Sequence, residues 1–296
     1  MKLRAIATPV KFFTFIAILG LGACQKNSVT NSNQSNAANL TDSSSAAESA
    51  YYDVLNNAFV GYADNSQVWK TSTPQKGQTT TLSTEVENVA GNLGCAIYTL
   101  DDTVPGSYPK TLTLDFGTGC TSADGVVRKG KLTYVFSGAL LNPGTTATVT
   151  FTQYVVNGYG IQGAYTITNN SSLAGVVINT QVTNGIITYP SGNNYHYGHN
   201  RTFTMTAGAA TPFNITDDVY SITGNSSFSA ADGSSLVCNI TTPLVKAVAC
   251  RYISAGVVSF VYDQLVDGTL DFGSGACDNQ ATLTIGTTIT KAITLR

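Results

Sequence analysis

The histidines and tyrosines between Tyr189 and His199 are the first group of side chains whose types and spacing could carry out chemistry. The chain has two histidines, His196 and His199. Imidazoles at this spacing can hold a transition metal, but no Cys, Asp or Glu lies nearby to complete a ligand shell, so we predict no metal site. Tyrosine rings can instead stack on a sugar ring. We therefore expect an aromatic, polar loop that could bind a ligand, formed by Tyr189, Tyr195, His196, Tyr197 and His199.

Aspartates form the second group. Asp115 and Asp271 each begin an Asp-Phe-Gly tripeptide. The tripeptide matches the magnesium-binding motif of kinases, but the other kinase motifs do not accompany it, so the match is accidental. Asp124 and Asp278 could join them in binding calcium, yet the spacing fits no EF-hand loop. Carboxylates that cap turns are the favoured interpretation.

Catalytic motifs are scarce in this sequence. There is no Gly-x-Ser-x-Gly elbow, and a hydrolytic triad would have to be assembled from scattered serines and aspartates. We therefore predict a protein that is not an enzyme and needs no cofactor. A hydrolase with a pair of carboxylates is the alternative, because its acids can come from any strands.

Cys24 is the residue with the clearest predicted chemistry. It ends the tetrapeptide Leu21-Gly22-Ala23-Cys24, which resembles the bacterial lipobox, and it follows basic residues and an apolar stretch too short to span a bilayer. The resemblance implies that residues 1–23 are a signal peptide and that the thiol of Cys24 is acylated, which anchors the mature chain to a bilayer. By the resemblance to other lipoproteins, Gln25 in place of Asp implies transfer to the outer membrane, on its periplasmic face or at the cell surface.

The charge balance excludes one class of partner. Residues 1–23 contain Lys2, Arg4 and Lys11 and no acid, so their removal leaves a mature chain with more acidic than basic residues. A nucleic-acid partner would need clustered cations, and we predict none. Charged residues make up only 11% of the chain, against roughly 25% in an average soluble protein. Threonine-rich, charge-poor surfaces are common on exported β proteins.

Two segments precede the β-rich part. Residues 24–41 are polar and nearly free of large apolar side chains, which predicts a disordered tether. Thr41 or Asp42 is then a candidate N-cap, and apolar residues recur at helical spacing up to Gly61. The pattern predicts one short amphipathic helix over residues 42–61, with its apolar stripe packed on a β domain formed by residues 62–296.

The period of the apolar residues changes to two after Ala96. Leu132, Tyr134 and Phe136 alternate with polar residues, which indicates half-buried strands. Turn signals separate the strands at short intervals, and strands joined by tight hairpins run antiparallel. We predict an all-β fold, an antiparallel meander of sandwich-like type. The turn signals are Asp124-Gly125, Asn142-Pro143-Gly144, Asn157-Gly158, Asn184-Gly185, Asp232-Gly233 and Asp267-Gly268.

An internal repeat suggests how the cysteines pair. The block Thr113-Leu-Asp-Phe-Gly-Thr-Gly-Cys120 recurs as Thr269-Leu-Asp-Phe-Gly-Ser-Gly-Ala-Cys277, and each copy follows another cysteine at a similar distance. Equivalent blocks, at about residues 95–120 and 250–277, imply the disulfides Cys95–Cys120 and Cys250–Cys277. Cys238 is then left as a buried thiol. A rival pairing, Cys238 with Cys250, would leave Cys277 free.

The lipobox, the polar tether, the helix and the paired blocks together resemble uncharacterised lipoproteins of Bacteroidota. The resemblance covers most of residues 45–296 and implies an envelope address and a two-block layout, but no activity. We expect a non-catalytic binding or structural protein. Its alternatives are a glycan-binding adhesin, which would use the segment from Tyr189 to Tyr197, and a fimbrial-like subunit that pairs its last strand, residues 282–295, with another protein's sheet.

Overall fold

A computed structural model describes residues 31–64, 78–80, 95–101, 107–122, 125–211, 214–286 and 289–295. The expected signal peptide, the lipid site at Cys24 and the first part of the tether lie outside these ranges. The described elements, in chain order, are one helix, fifteen strands and a short 3-10 helix (Ile215–Asp217). They are α1 (Asn31–Asp64), β1 (Gln78–Thr80), β2 (Ile97–Asp101), β3 (Lys110–Asp115), β4 (Cys120–Thr121), β5 (Val127–Phe136), β6 (Thr146–Val156), β7 (Tyr159–Asn169), β8 (Val177–Thr188), β9 (Asn194–Ala207), β10 (Val219–Ala230), β11 (Ser235–Ala247), β12 (Ala255–Tyr262), β13 (Val266–Ser274), β14 (Gln280–Ile285) and β15 (Ile289–Thr294).

The strands form one antiparallel sheet in which neighbours along the chain are neighbours in space. Among the described residues, only β4 departs from this order, because it pairs with β5 beside β3. Leu132, Tyr134 and Phe136 on β5 are fully buried while the residues between them are less so, as the alternating pattern predicts. The expected all-β antiparallel meander is confirmed.

Three of the predicted turn signals are hairpin turns, and two others lie inside strands. Asn157-Gly158 joins β6 to β7 with φ angles of 49° and 87°. Asn184-Gly185 instead forms a bulge in the middle of β8, and Asp267-Gly268 lies within β13. The turn from β12 to β13 is made by Asp263 and Gln264, whose φ angles are also positive. The signal at Asp124 lies outside the described residues.

Bulges in adjacent strands bend the sheet. Register shifts occur in eight consecutive pairings, from β5–β6 to β12–β13. Gly163, at the bulge of β7, has a φ of +121°, and a Cβ added there would lie 2.7 Å from the Cα of Gly185. Bulges increase local twist and curvature, and here they curve the sheet around α1.

α1 is longer and more buried than the sequence predicts. It begins at Asn31, so the expected tether boundary at residue 41 is wrong, and within the fully described stretch from Leu40 to Gly61 only Ser49 is exposed. The helix is therefore enclosed by the sheet rather than amphipathic with one wet face. Thr41 is not an N-cap: its Oγ1 donates a 2.8 Å hydrogen bond to the carbonyl of Ala37, one turn earlier. No helix of the described part of the chain is long and apolar enough to cross a membrane.

The early start of α1 has a physical reason. Ala37 and Leu40 are buried against the sheet, at 0% and 6% exposure, and this packing stabilises a segment whose composition alone would not fold. At the other end, Gly61 allows close packing, because a Cβ there would lie 2.8 Å from Cδ2 of Leu112 on β3. The sheet, rather than intrinsic helix propensity, sets the length of α1.

Both predicted disulfides form. Cys95–Cys120 closes the β2–β3 hairpin and Cys250–Cys277 closes the β12–β13 hairpin, with Cα–Cα distances of 5.9 and 5.7 Å. The repeated blocks also have the same local structure. Oδ1 of Asp115 accepts a 2.9 Å hydrogen bond from the Gly117 amide, and Oδ1 of Asp271 accepts one of 2.8 Å from the Gly273 amide. The blocks are thus equivalent units near the two ends of the sheet.

Candidate functional site

The segment expected to be an aromatic ligand-binding loop is a strand of the sheet. Tyr195, His196, Tyr197 and His199 lie on β9, where successive side chains point to opposite faces. His196 is exposed, whereas Tyr197 and His199 are buried, at 3% and 8% exposure. The two imidazoles therefore cannot share one metal ion. The described residues contain no group of three or more potential metal ligands.

Tyr197 and His199 are bonded inside the domain. Nε2 of His199 lies 2.9 Å from Oγ1 of Thr180, and its Nδ1 lies 3.0 Å from the hydroxyl of Tyr197. The ring of Tyr197 stacks on Tyr51 of α1, with centroids 4.8 Å apart. Burial lowers the pKa of His199 to about 4, so the imidazole is neutral at pH 7.

Tyr189 and Tyr195 form a half-buried aromatic cluster where β8 ends and β9 begins. The ring of Tyr195 stacks on Phe228 at 4.8 Å and meets Tyr189 edge-on at 4.9 Å. The hydroxyl of Tyr189 donates to the carbonyl of Ser43 on α1. Because these rings cover one another, they do not form the open platform that stacking on a sugar would require.

The strongest candidate site is a cavity of about 130 Å³ between α1 and strands β9–β13. Its walls are mostly apolar, and two of its lining residues, Ser49 of α1 and Arg251 in the β11–β12 loop, are exposed and mark the side that opens to solvent. The buried wall residues of the sheet come from six strands, because Tyr165 of β7 joins those of β9–β13, and only the folded sheet brings them together. They include Phe203, Ile222, Leu244, Val258, Phe260 and Leu270.

Glu48 and Arg201 are the paired charges of this cavity. Nη2 of Arg201 donates hydrogen bonds to Oε1 of Glu48 at 2.5 Å and to Oγ of Ser226 at 3.0 Å. Burial alone would raise the pKa of Glu48, but the guanidinium holds it below its ordinary value. Nη1 of Arg201 is buried and has no hydrogen-bond partner among the described residues.

Two further cations line the cavity without a carboxylate partner among the described residues. The ammonium of Lys246 donates to the carbonyls of Ala247 and Cys250 and lies 4.9 Å from the ring centroid of Tyr52. Burial lowers the pKa of Lys246 to about 8. Arg251 lies over the ring of Tyr252. The Cys250–Cys277 disulfide, next to Arg251, fixes the loop that forms this wall.

Cys238 is a free, buried cysteine on β11 that also lines the cavity. Burial raises the pKa of the thiol to about 12, so it is protonated at neutral pH. This placement agrees with the prediction of a buried thiol. It excludes the rival disulfide with Cys250, which is bonded to Cys277.

A second buried ion pair has a structural role. The guanidinium of Arg128 on β5 binds both carboxylate oxygens of Asp53 on α1, and the hydroxyl of Tyr154 donates to Asp53 Oδ2 at 2.6 Å. Arg128 also donates to Ser122, whose Oγ lies 3.6 Å from Sγ of Cys95. Because all these groups are bonded to one another, the cluster fixes α1 to the β2–β5 end of the sheet.

The aspartates considered for calcium do not gather. Asp115 and Asp271 lie in separate blocks near opposite ends of the sheet, and Asp278 accepts a 2.9 Å hydrogen bond from the amide of Gln280. Asp115 also pairs with Lys131 at 2.7 Å. They cap turns, as the sequence predicts, while Asp124 lies outside the described residues.

Sequence reasoning missed Glu48, Arg201 and Lys246. Glu48 was part of an expected amphipathic helix, and the two cations were isolated charges in strand patterns. One sequence signal points to Arg201 and Lys246: each charge falls at an inward-facing position of an alternating strand, where a charged side chain is rarely left unpaired. Arg201 continues the inward series of Tyr197 and His199 on β9.

The chain matches no family model, no curated protein and no solved structure at a significant level.

Proposed function

We propose that this protein is a lipid-anchored binding protein of the bacterial outer membrane and that it is not an enzyme. Acylated Cys24 would hold the β domain at the bilayer, on the periplasmic face or at the cell surface. The observation that carries the binding role is the preformed cavity between α1 and β9–β13, whose walls are apolar and whose charged groups are Glu48, Arg201, Lys246 and Arg251. Preformed apolar cavities with few polar groups are typical of ligand sites.

The envelope address is supported by the cysteines. Disulfides such as Cys95–Cys120 and Cys250–Cys277 persist in oxidising compartments and are rare in the cytosol of most bacteria. An export signal that ends in a lipobox cysteine fits the same compartment. The two features are independent, because one lies in the leader and the others in the β domain.

The absence of catalysis is proposed from the state of the cavity's titratable groups. A general base must be free to take a proton, but the imidazole of His199 is bonded through both nitrogens and has a pKa near 4. A carboxylate-pair hydrolase needs two acids about 5 to 9.5 Å apart. Of the described residues that line the cavity, Glu48 alone carries a carboxylate.

The glycan-binding and fimbrial alternatives differ in their support. The rings expected to hold a sugar are stacked on one another, so a glycan would need a different surface.

A subunit role has one observation in its favour: among the described strands β15 pairs on one side only, with β14, which leaves an edge that another strand could join. A chain whose sedimentation coefficient is independent of concentration would exclude that role.

Replacing the lipid acceptor tests the proposal. Cys24→Ser removes the acylated sulfur and should move the protein from the membrane fraction to the soluble fraction or leave it as an uncleaved precursor. Cys238→Ser is the matched control, because it also replaces a thiol with a hydroxyl but leaves the anchor unchanged. If Cys24→Ser stays in the membrane fraction with residues 1–23 removed, the proposed anchor is wrong.

A further inference from the structure

We infer that the cavity between α1 and β9–β13 binds a small monocarboxylate with an apolar body, of the size of an aromatic acid such as benzoate. The inference rests on the proposed binding role, since it names the ligand class, but it does not depend on the lipid anchor. It is drawn from the size of the cavity, the chemistry of its walls and the balance of its charges.

The size and walls of the cavity define the body of the ligand. An engineered apolar cavity of about 150 Å³ in another protein binds benzene. The cavity here, at about 130 Å³, is close to that size and is lined by Phe203, Ile222, Leu244 and Phe260. An apolar ring would remove these side chains from contact with water, which is favourable at roughly 25 cal/mol per Å² of buried surface.

The charges define the head of the ligand. Arg201, Lys246 and Arg251 line the cavity against the single carboxylate of Glu48, so its described lining has an excess of two positive charges. The imidazole of His199 adds none at neutral pH. A carboxylate would balance part of this excess, and a ligand with an amine would increase it.

Arg201 supplies a donor for that carboxylate. Its side chain is 5% exposed, and Nη2 is used by Glu48 and Ser226, whereas Nη1 has no hydrogen-bond partner in the described part of the chain. A buried N–H without a partner is destabilising, and charge-assisted bonds between guanidinium and carboxylate are strong. A ligand carboxylate would satisfy this group, while Arg251 at the opening would attract the anion from solvent.

Benzoate and benzylamine are matched probes, because they share a ring and differ in the sign of the charge. The purified mature chain is used in phospholipid nanodiscs if it fractionates with membranes, and in buffer if it does not. Failure of the anchor therefore does not prevent the titration. Empty nanodiscs correct for partitioning into lipid. We expect benzoate to bind in the submillimolar range and benzylamine to bind at least about tenfold more weakly.

Cys238 reports where the probe binds. Once Cys24 is acylated and both disulfides are formed, Cys238 carries the remaining thiol of the mature chain, and it lines the cavity. The buried, protonated thiol reacts slowly with methyl methanethiosulfonate, a small uncharged thiol reagent, so the modification is followed over hours on the peptide that contains Cys238. Bound benzoate should slow this modification further, in proportion to occupancy. Benzylamine at the same concentration should give little protection.

Two pairs of variants test the opening and the charge. Ser49→Trp places a large ring at the exposed opening and should weaken benzoate binding at least about tenfold, whereas Ser35→Trp, also on an exposed position of α1, should not. Arg251→Gln should weaken binding about fivefold, and Lys291→Gln, which removes the same charge from exposed β15, should leave it unchanged.

Four results would each overturn the inference. They are absence of benzoate binding, equal affinity for benzylamine and benzoate, benzoate binding that leaves the reactivity of Cys238 unchanged, and binding that Ser49→Trp does not weaken. Absence of benzoate binding in a chain that still fractionates with membranes would remove this ligand class and leave the proposed anchor standing. Benzoate binding by a chain that is not acylated would support this ligand class and remove the proposed anchor.

Discussion

Glu48 on α1 and Arg201 on β9 form an ion pair across the interface between helix and sheet, with Oε1 2.5 Å from Nη2. The two partners are not equally buried: the Arg201 side chain is 5% exposed and that of Glu48 is 36% exposed. The guanidinium therefore depends on the carboxylate for its charge balance, whereas the Glu48 side chain as a whole keeps some contact with solvent. This asymmetry predicts that removing one partner costs more unfolding free energy than removing the other.

Glu48→Gln should be the more harmful of the two single changes. It leaves a buried guanidinium without its carboxylate, and we expect a loss of about 3 kcal/mol in the free energy of unfolding. Arg201→Met leaves the unpaired charge on the more exposed of the two side chains, so its cost should be smaller. Urea unfolding followed by circular dichroism measures both.

The double variant Glu48→Gln/Arg201→Met is the control for this pair. Because it leaves no unpaired charge, it should be more stable than the sum of the single losses predicts. Additive losses would mean that the two side chains do not interact.

Stability should fall between pH 6.5 and pH 4 because of His199. Burial lowers its pKa from 6.5 to about 4, so the unfolded chain binds a proton that the folded chain excludes. The stability contributed by the neutral imidazole is complete above pH 6.5 and is lost as the pH falls, by up to about 3 kcal/mol. Glu48 and Arg201 are the charged groups that act on this imidazole. Unfolding free energies measured at pH 7, 5.5 and 4.5 would show the slope.

His196 provides the control for the pH dependence. It lies on the same strand with its side chain exposed, so His196→Gln should keep the wild-type slope. His199→Gln should flatten it while lowering stability at pH 7. Equal slopes in the two variants would contradict the buried position of His199.

Gly163→Ala should destabilise the bend of the sheet. The residue has a φ of +121°, and an added Cβ would lie 2.7 Å from the Cα of Gly185 and 2.9 Å from the carbonyl oxygen of Asn184. We expect a loss of about 3 kcal/mol or more. Gly192→Ala separates backbone strain from contact, because its φ is +88° and nothing lies within 4 Å of the added Cβ. Its cost should be about 1 kcal/mol; an equal cost at both positions would mean that the close contact does not matter.

Cys238 should be the residue that alkylates when the mature chain is unfolded without reductant. Cys95 is bonded to Cys120, and Cys250 to Cys277. Peptide mapping after iodoacetamide treatment should therefore find the label on the peptide that contains Cys238. A label on Cys277 would instead indicate the pairing of Cys238 with Cys250.

The strand pattern and the disulfides could be predicted from the sequence because both depend on local signals. Alternation of apolar and polar residues marks β5, and the repeated blocks pair Cys250 with Cys277 as well as Cys95 with Cys120. Hairpins such as Asn157-Gly158 were also predictable, since the dipeptide favours the positive φ angles of a tight turn.

Other features depend on the tertiary structure. Asn184-Gly185 has the same local preference as a hairpin turn but forms a bulge, because β8 continues its pairing with β9 beyond it. The polar start of α1 is helical because the sheet buries Ala37 and Leu40. No local pattern distinguishes such a segment from a tether.

The cavity was the feature that could least be predicted from the sequence. Its walls come from α1 and six strands, so no spacing along the chain connects Glu48 to Lys246 or Arg251. The candidate site suggested by the sequence, from Tyr189 to His199, contributed one residue to it, the buried His199. An alternating strand shows which residues share a face, but not which other strands they meet.

The lipid anchor is tested most directly by mass spectrometry of the amino-terminal peptide of the protein purified from membranes. Acylation of Cys24 predicts a peptide that begins at Cys24, lacks residues 1–23 and carries diacylglycerol on its sulfur. A chain that retains residues 1–23, or is cut elsewhere and carries an unmodified Cys24, would contradict it.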